Sequence, residues 1–179
     1  MYEVTQEQYE KVVGRNPAKF RDPRKPGEGV TWDDAQAFCR RLSETESKKY
    51  RLPTAVEWEY ACRAGTTTEY YWGNDWEDGY TWTDKSSGGS TRQVGTAKPN
   101  PWGLYDMCGN VWEWCQDTKG TYAPGAETDP VSLYGSGRVL RGGSWHSTPQ
   151  SARSANRNYY NPPGREDVDG FRVVLAAQE

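Results

Sequence analysis

The chain of 179 residues has little apolar sequence and no long hydrophobic run. Hydrophobic residues make up 34% of it, and the mean hydropathy is −1.02. No stretch approaches the roughly 20 apolar residues that a membrane-spanning helix needs, and the first residues lack the apolar core of a signal peptide. We therefore expect no membrane insertion. The sequence does not indicate a cellular location. Display on a cell or virion surface would need a route other than a signal peptide or a membrane-spanning helix in this chain.

Basic clusters and histidines are also scarce. The net charge is −3, with Lys and Arg scattered along the chain, so we expect no nucleic acid as a partner. With a single histidine, His146, and no Cys-x-x-Cys pair, a zinc ribbon or a multi-histidine metal site is excluded. A Ser-His-Asp arrangement using His146 would need a nucleophile motif, and no serine has one. We interpret His146 as a solvated loop residue.

Four cysteines are present, and their spacing selects no pairing. Cys39 and Cys62 lie in helical, partly apolar sequence, which is typical of small buried thiols. Cys108 and Cys115 complete the set. A disulfide between any two of the four remains open.

Aromatic residues, glycine and proline are abundant. Nine Trp and twelve Tyr supply large surfaces to bury, which argues against disorder. With 19 Gly and 11 Pro, the composition is typical of a loop-rich globular domain with an aromatic core. We expect one domain over residues 1–179.

Three helices are predicted by the same local signal. Thr5, Thr31 and Thr54 each stand three residues before a Gln or an acidic residue, which is the pattern of a capping box. The second helix should run to about Glu46. No helical or alternating period persists over residues 66–96, so we expect irregular loops there.

Short strands are predicted in the second half, which makes the fold class α+β. The predicted strands lie near Val111–Cys115, Arg138–Gly142 and Gly170–Leu175. In the first of them Trp112 and Trp114 should share one face and Glu113 should lie on the other. Gly142-Gly143 predicts a positive φ or a close backbone approach. We expect Trp145 and Phe171 to be buried in the core.

Five stretches carry a resemblance to a known family. They are YEVTQEQYEKV at the start, RLPTAVEWEYACRAG from Arg51, PNPWGLYDMCGNVWEWCQD from Pro99, RVLRGGSW from Arg138 and GFRVV from Gly170. In this order they resemble the formylglycine-generating-enzyme, or sulfatase-modifying-factor, family, whose fold is a variant of the C-type lectin fold. The resemblance covers nearly the whole chain. The segment that usually precedes YEVT in this family is missing, so we expect a shortened member or a piece of a longer protein.

The resemblance also implies which residues catalysis would need. The family's enzymes carry two copper-binding cysteines, five residues apart, after the GGS-aromatic motif. Residues 142–157 hold no cysteine, and Pro149 and Ser154 stand about where the two would fall. A related branch binds iron through three histidines, which a single histidine cannot supply. We therefore expect no copper and no enzyme activity, and an oxidoreductase of this family is the least favoured hypothesis.

A structural calcium ion is a further implication of the resemblance. The matching loop is residues 106–113. Asp106 and Glu113 would supply carboxylate oxygens, and Gly109 and Val111 would supply backbone carbonyls, the hard ligands that calcium prefers. The alternative is a loop closed by salt bridges or caps without a metal.

Residues 146–169 lie between two well-matched motifs and resemble the variable region of diversity-generating-retroelement proteins. In those systems the adenines of template codons, often AAC, are randomised. The residues that such changes would reach from AAC are His146, Ser147, Thr148, Ser151, Asn156, Asn158, Tyr159, Tyr160, Asn161, Gly164, Asp167, Val168 and Asp169. Gln150 and Glu166 would be fixed by the template, and Arg153, Ala155 and Arg157 would belong to the framework.

The composition of this segment suits a binding surface. Tyr supplies rigid contact area, and Ser, Asn, Gly and Asp supply adaptable hydrogen bonds. The favoured hypothesis is a non-catalytic ligand-binding protein that holds an unknown protein or surface ligand through residues 146–169. The alternative is an inactive family member with a fixed partner or a structural role, in which this segment is an ordinary solvated loop.

Overall fold

A computed structural model describes residues 1–120, 135, 137–161 and 163–176. The helices of this part are α1 Gln6–Val13, α2 Trp32–Glu46 and α3 Ala55–Arg63. At each N-terminus the Thr hydroxyl accepts a hydrogen bond from the third helical residue, whose side chain in turn accepts one from the Thr backbone. The three predicted helix starts at Thr5, Thr31 and Thr54 are confirmed, because this motif satisfies backbone N–H groups that the helix itself cannot.

Within the described residues, six short strands form two small sheets. The strands are β1 Tyr50–Arg51, β2 Trp112–Thr118, β3 Arg138–Arg141, β4 Arg157–Tyr160, β5 Asp169–Gly170 and β6 Val174–Leu175. One sheet has the order β4-β3-β2-β5, and the other pairs β1 with β6. All neighbours are antiparallel except β2 and β5. The described residues therefore form the mixed α+β fold that the sequence predicts.

The strand predictions hold in part. Strands near Val111–Cys115 and Arg138–Gly142 are confirmed, whereas the continuous strand predicted over Gly170–Leu175 is wrong. It is split into β5 and β6, because Phe171 O accepts a hydrogen bond from Val4 N and the Arg172 side chain turns into the interior. The sequence did not predict β1 or β4.

Two hydrophobic clusters lie on opposite faces of β2. Trp112 and Trp114 pack with Tyr9, Phe38 and Phe171 beside α1 and α2. The second cluster lies beneath α3 and contains Trp58, Met107, Cys115, Val139 and Ala152. The predicted alternation is confirmed, because the two Trp rings share one cluster while Glu113 reaches Trp58 in the other.

The backbone conformation and close surroundings of the GGSW motif show why it contains two glycines. Gly142 and Gly143 both have positive φ, 94° and 81°, and a Cβ on Gly142 would lie 3.0 Å from the Trp58 ring. Both features were predicted. Phe171 is buried as expected, but Trp145 is only half-buried, because its ring packs edge-on against Phe20 near the surface.

Residues 66–96 are irregular, as predicted, and aromatic stacking pins them. The Trp72 ring stacks between Tyr70 and Tyr80, with centroid distances of 4.6 and 4.9 Å. None of the helices within the described residues is both long enough and apolar enough to cross a bilayer.

Candidate binding surface

The segment that follows the GGSW motif lies on a rigid base. Its strand β4 pairs along its whole length with β3, and a short 3-10 helix, Pro149–Ala152, precedes it. Ala152 and Ser154, which we did not include in the candidate set, are completely buried. Strand pairing with β3 and the burial of Ala152 and Ser154 therefore hold the backbone of the segment, and its other side chains can face solvent.

A buried arginine fastens this base to α3. Arg141 is inaccessible to solvent. Its guanidinium donates to the carbonyl oxygens of Asn156 at 2.7 Å and Ala55 at 3.1 Å and pairs with the Glu59 carboxylate. Burial works to raise the pKa of Glu59, but Arg141 and Arg63 outweigh it and lower that pKa. The charge pair is thus kept ionised, and Arg141 joins α3 both to β3 and to the backbone of the segment at Asn156.

The thirteen candidate residues fall into three classes of exposure. The exposed ones are His146, Thr148, Asn158, Tyr159, Tyr160 and Asn161. The half-buried ones are Ser147, Ser151, Asn156, Gly164, Asp167 and Val168. Asp169 alone is buried, at 2% exposure. We call the six exposed residues the candidate surface.

Contacts connect the two ends of the candidate surface. The Tyr160 hydroxyl donates to Glu166 at 3.1 Å, and Trp145 Nε1 donates to the carbonyl oxygen of Asp167 at 3.0 Å. The His146 ring lies 5.1 Å from the Trp145 ring. A continuous run of contacts therefore leads from His146 to Tyr160, although the two are far apart along the segment.

The Tyr159 ring contacts Lys119, the residue that directly follows β2. Its ring is 48% exposed, and the Lys119 ammonium lies 3.5 Å from the ring centroid. Such a cation over an aromatic face contributes about 0.5–1 kcal/mol at an exposed site. One face of the Tyr159 ring is thus occupied by the Lys119 ammonium, and the rest of the ring is exposed.

Several half-buried candidates contribute to the scaffold. Ser147 Oγ lies 3.0 Å from Ser144 Oγ, the Asn156 side chain donates to the carbonyl oxygen of Ser151 at 2.9 Å, and Val168 packs against the first hydrophobic cluster. Ala155 is exposed, although we expected it in the framework.

Asp169 differs from every other candidate. It lies in β5, opposite Trp112, and is inaccessible to a surface partner. Burial, together with the nearby carboxylates of Glu166 and Asp167, raises the pKa of Asp169 to about 7. The structure therefore places this residue in the interior and apart from the candidate surface.

The positions expected for the family's catalytic cysteines are both buried. Pro149 accepts a hydrogen bond from the Tyr70 hydroxyl at 3.0 Å, and Ser154 Oγ accepts one from Cys62 Sγ at 3.5 Å. The four cysteines of the chain are free and buried. Within the described ranges, no group of three or more His, Cys, Asp or Glu side chains could hold a metal ion.

In the predicted calcium loop, the carboxylate of Glu113 already has hydrogen-bond donors on both of its oxygens. Both oxygens of Glu113 accept hydrogen bonds from Arg172 at 2.6 Å, and one also accepts from Trp58 Nε1 at 2.6 Å. Asp106 accepts from Gly95 N at 2.6 Å through Oδ2, while its Oδ1 is buried without a partner. Asp106 Oδ1 is thus available as a ligand atom, but a cation would have to compete with Arg172 for the carboxylate of Glu113.

A third carboxylate beside this loop was missed by sequence reasoning. Glu3 is completely buried and accepts hydrogen bonds from Asn110 Nδ2 at 2.8 Å and Val111 N at 3.2 Å. Burial, with Asp106 and Glu113 nearby, raises the pKa of Glu3 well above its usual value. Both Glu3 and Arg172 lie in the motifs that carry the family resemblance, but nothing in their spacing indicates that they meet.

The fold and the surface together define a class of protein, a C-type-lectin-type scaffold with an exposed strand-and-loop face. Among solved structures, Treponema denticola variable protein 1 matches with a TM-score of 0.90 and 32% identity, covering 96% of this chain and 81% of that chain. The description of the matching family is "Sulfatase-modifying factor enzyme 1-like domain", and the match covers residues 1–177. The chain belongs to this family.

Two relatives in the family bear directly on catalysis. The inactive C-alpha-formylglycine-generating enzyme 2 of Mus musculus is 35% identical over 188 residues, covering 89% of this chain and 56% of the relative. The formylglycine-generating enzyme of Streptomyces coelicolor is also 35% identical, over 172 residues, covering 85% of this chain and 53% of that enzyme. The chain spans little more than half the length of either. Since both show the same identity, overall similarity does not distinguish an active from an inactive member.

Proposed function

We propose that this chain is a non-catalytic ligand-binding protein, whose candidate surface is diversified by a retroelement while the scaffold beneath it stays constant. The observation that carries this proposal is the division of the 146–161 segment into two sets of side chains. The six residues of the candidate surface face solvent, whereas Pro149, Ala152 and Ser154 between them are buried. Surface substitutions usually change stability by about 0.5 kcal/mol or less, so this arrangement tolerates variation where it is exposed.

The chemistry of the exposed residues supports binding. Tyr159 and Tyr160 are 48% and 41% exposed, and aromatic side chains of this kind supply much of the energy at protein interfaces. Thr148, Asn158 and Asn161 are also exposed and offer adaptable donors and acceptors. The match to a protein named variable protein 1 is consistent with a surface that changes while its fold does not.

The case against catalysis rests on the cysteines. Residues 142–157 contain none, and burial raises the pKa of the thiols of Cys39, Cys108 and Cys115. A thiol must reach the thiolate form to act as a nucleophile or a soft-metal ligand. The relative described as inactive is consistent with loss of activity within this family.

The second candidate function is an inactive family member with one fixed partner, and it uses the same surface. The inactive relative at 35% identity is consistent with it. The two functions differ in whether the residues of the candidate surface vary between copies of the gene.

A display experiment tests whether the surface can serve as a binding site. One library randomises the six residues of the candidate surface, and a control library randomises Ala152, Ser154 and Asp169 of the buried base. Both are displayed on yeast and selected against lysozyme as an arbitrary test protein. We expect the first library to be displayed at the level of the parent chain and to yield lysozyme binders. We expect display of the second library to fall sharply.

A first library that is lost from display as completely as the control would overturn the proposed function. The proposed function would also be overturned if the first library is well displayed but yields no lysozyme binder, while an antibody-fragment library yields binders under the same selection.

A further inference from the structure

Two buried sulfur atoms lie next to each other near Ser154, in the buried base of the 146–161 segment. Cys62 Sγ, on α3, is 3.8 Å from Cys108 Sγ, in the loop that leads into β2. Cys62 Sγ also lies 3.5 Å from Ser154 Oγ, under the segment that follows the 3-10 helix. Both cysteines are completely buried. The separation exceeds an S–S bond of about 2.05 Å, so the two side chains would have to move toward each other for a bond to form.

We propose that Cys62 and Cys108 form a disulfide bond in an oxidising environment, which cross-links α3 to the 106–113 loop. The bond would join residues that are 46 positions apart in the chain. It would fasten the helix to the loop at the point where Cys62 contacts Ser154. The proposal stands on the sulfur geometry alone and does not depend on the proposed function.

The other two cysteines are placed differently. Cys39 lies in the first hydrophobic cluster, on the other side of β2 from the pair. Cys115 shares the second cluster, but its Sγ points to the backbone oxygen of Glu113 at 3.7 Å. They are therefore expected to stay as free thiols and serve as internal controls.

The chemistry balances with oxidised glutathione as the oxidant. The thiolate of one cysteine attacks the glutathione disulfide, forms a mixed disulfide and releases one glutathione thiolate. The thiolate of the second cysteine then attacks the protein sulfur, forms the Cys62–Cys108 bond and releases the other glutathione. Two protein thiols are oxidised, one glutathione disulfide is reduced, and the two thiol protons pass to the released glutathiones.

Burial determines when the bond can form. It raises the pKa of the Cys108 thiol well above its usual value, and the neighbouring Cys62 adds to this effect. The folded protein should therefore react slowly with external disulfides, since the thiolate is the reactive form. We expect the bond to form during folding, while the two thiols are still accessible.

The test is refolding followed by peptide mapping. The unfolded, reduced protein is refolded in a mixture of oxidised and reduced glutathione. Free thiols are then blocked with iodoacetamide under denaturing conditions, which expose the buried cysteines, and the digest is mapped by mass spectrometry. We expect a peptide that links Cys62 to Cys108, with Cys39 and Cys115 alkylated. A natively folded product with four alkylated cysteines, or with a linkage through Cys39 or Cys115, would overturn the proposal.

Thermal melting supplies a second measurement. A disulfide that closes a loop of this length restricts the unfolded chain, so the oxidised protein should melt roughly 5–10 °C above the reduced protein. Cys108→Ser should abolish this redox dependence, and the matched control Cys115→Ser should retain it. Redox dependence that persists in Cys108→Ser would contradict the assignment. If Cys108→Ser does not fold, the wild-type peptide map still decides.

Discussion

The guanidinium group of Arg172 donates two hydrogen bonds of 2.6 Å to the carboxylate of Glu113, in a region that solvent hardly reaches. This contact joins β2 to the segment between β5 and β6, and Arg172 also donates to the carbonyl oxygen of Tyr105 at 3.1 Å. Bidentate pairs of this kind combine charge with fixed geometry. The loop of residues 106–113 is therefore anchored at its far end by an ion pair that the chain itself supplies.

Breaking that pair should be costly. Removing one partner leaves an uncompensated buried charge, so Glu113→Gln or Arg172→Met should each lower the free energy of unfolding by about 3–5 kcal/mol. The double variant should lose clearly less than the sum of the two. Denaturant unfolding curves measure all three. Single variants that cost under 1 kcal/mol would show that the pair contributes little.

The calcium prediction can be tested through the melting temperature. If Asp106 and Glu113 bind the ion, protein refolded in a strong chelator should melt at a lower temperature, and added calcium should restore it, because a ligand of the folded state stabilises that state. Asp106→Asn should remove the response to calcium even if its own melting temperature differs. A Tm that calcium leaves unchanged after refolding in chelator would mean that Arg172 and Trp58 satisfy Glu113 without a cation.

Asp169 predicts a specific pH dependence. Its pKa is raised from 3.8 to about 7 in the folded state, so between these values the folded protein holds a proton that the unfolded chain has lost. The contribution of Asp169 to the free energy of unfolding should therefore fall by roughly 2–4 kcal/mol as pH rises from about 4 to 7, and it should stay low above pH 7.

Asp169→Asn removes the titrating group and is the variant to compare. It should stabilise the protein at pH 8 and have little effect at pH 4, as measured by denaturant unfolding at a series of pH values. If Asp169→Asn stabilises the protein equally at pH 4 and pH 8, the stabilisation comes from packing and not from loss of the charge.

The chemistry of the family gives a further prediction. Supplied with copper and a sulfatase-type cysteine peptide, the purified chain should form no formylglycine, because residues 142–157 have no thiolate pair to bind the metal. Mass spectrometry of the peptide detects the product, with the Streptomyces coelicolor enzyme as a positive control. Turnover above a heat-inactivated sample would show that the chain is an enzyme.

The parts of the fold that follow from local chemistry could be predicted from the sequence. The capping boxes at Thr5, Thr31 and Thr54 place the three helices, because the cap and its partner are three residues apart. The alternation of Trp112, Glu113 and Trp114 places β2 and assigns its faces. Such signals depend only on neighbouring residues and on the period of the element they form.

Features that depend on distant contacts could not be predicted in the same way. Strand β4 ends in Asn158, Tyr159 and Tyr160, which are all exposed, so it lacks the apolar–polar alternation that marks a half-buried strand. Asp169 looks like its polar neighbours in sequence, but the structure pairs it with Trp112 and buries it. Glu3 meets Asn110 across 107 positions, a contact that no local pattern reveals.

The DNA around the gene provides the most direct measurement of diversification. The proposed function predicts a non-coding near-copy of the codons for residues 138–174, next to a reverse-transcriptase gene. The near-copy should differ from the gene only at adenines, and the differences should fall on the codons of the six residues of the candidate surface. The codons of the buried residues Ala152, Ser154 and Asp169 should be identical. The absence of any near-copy, or differences concentrated on buried codons, would contradict diversification and leave the fixed-partner function in its place.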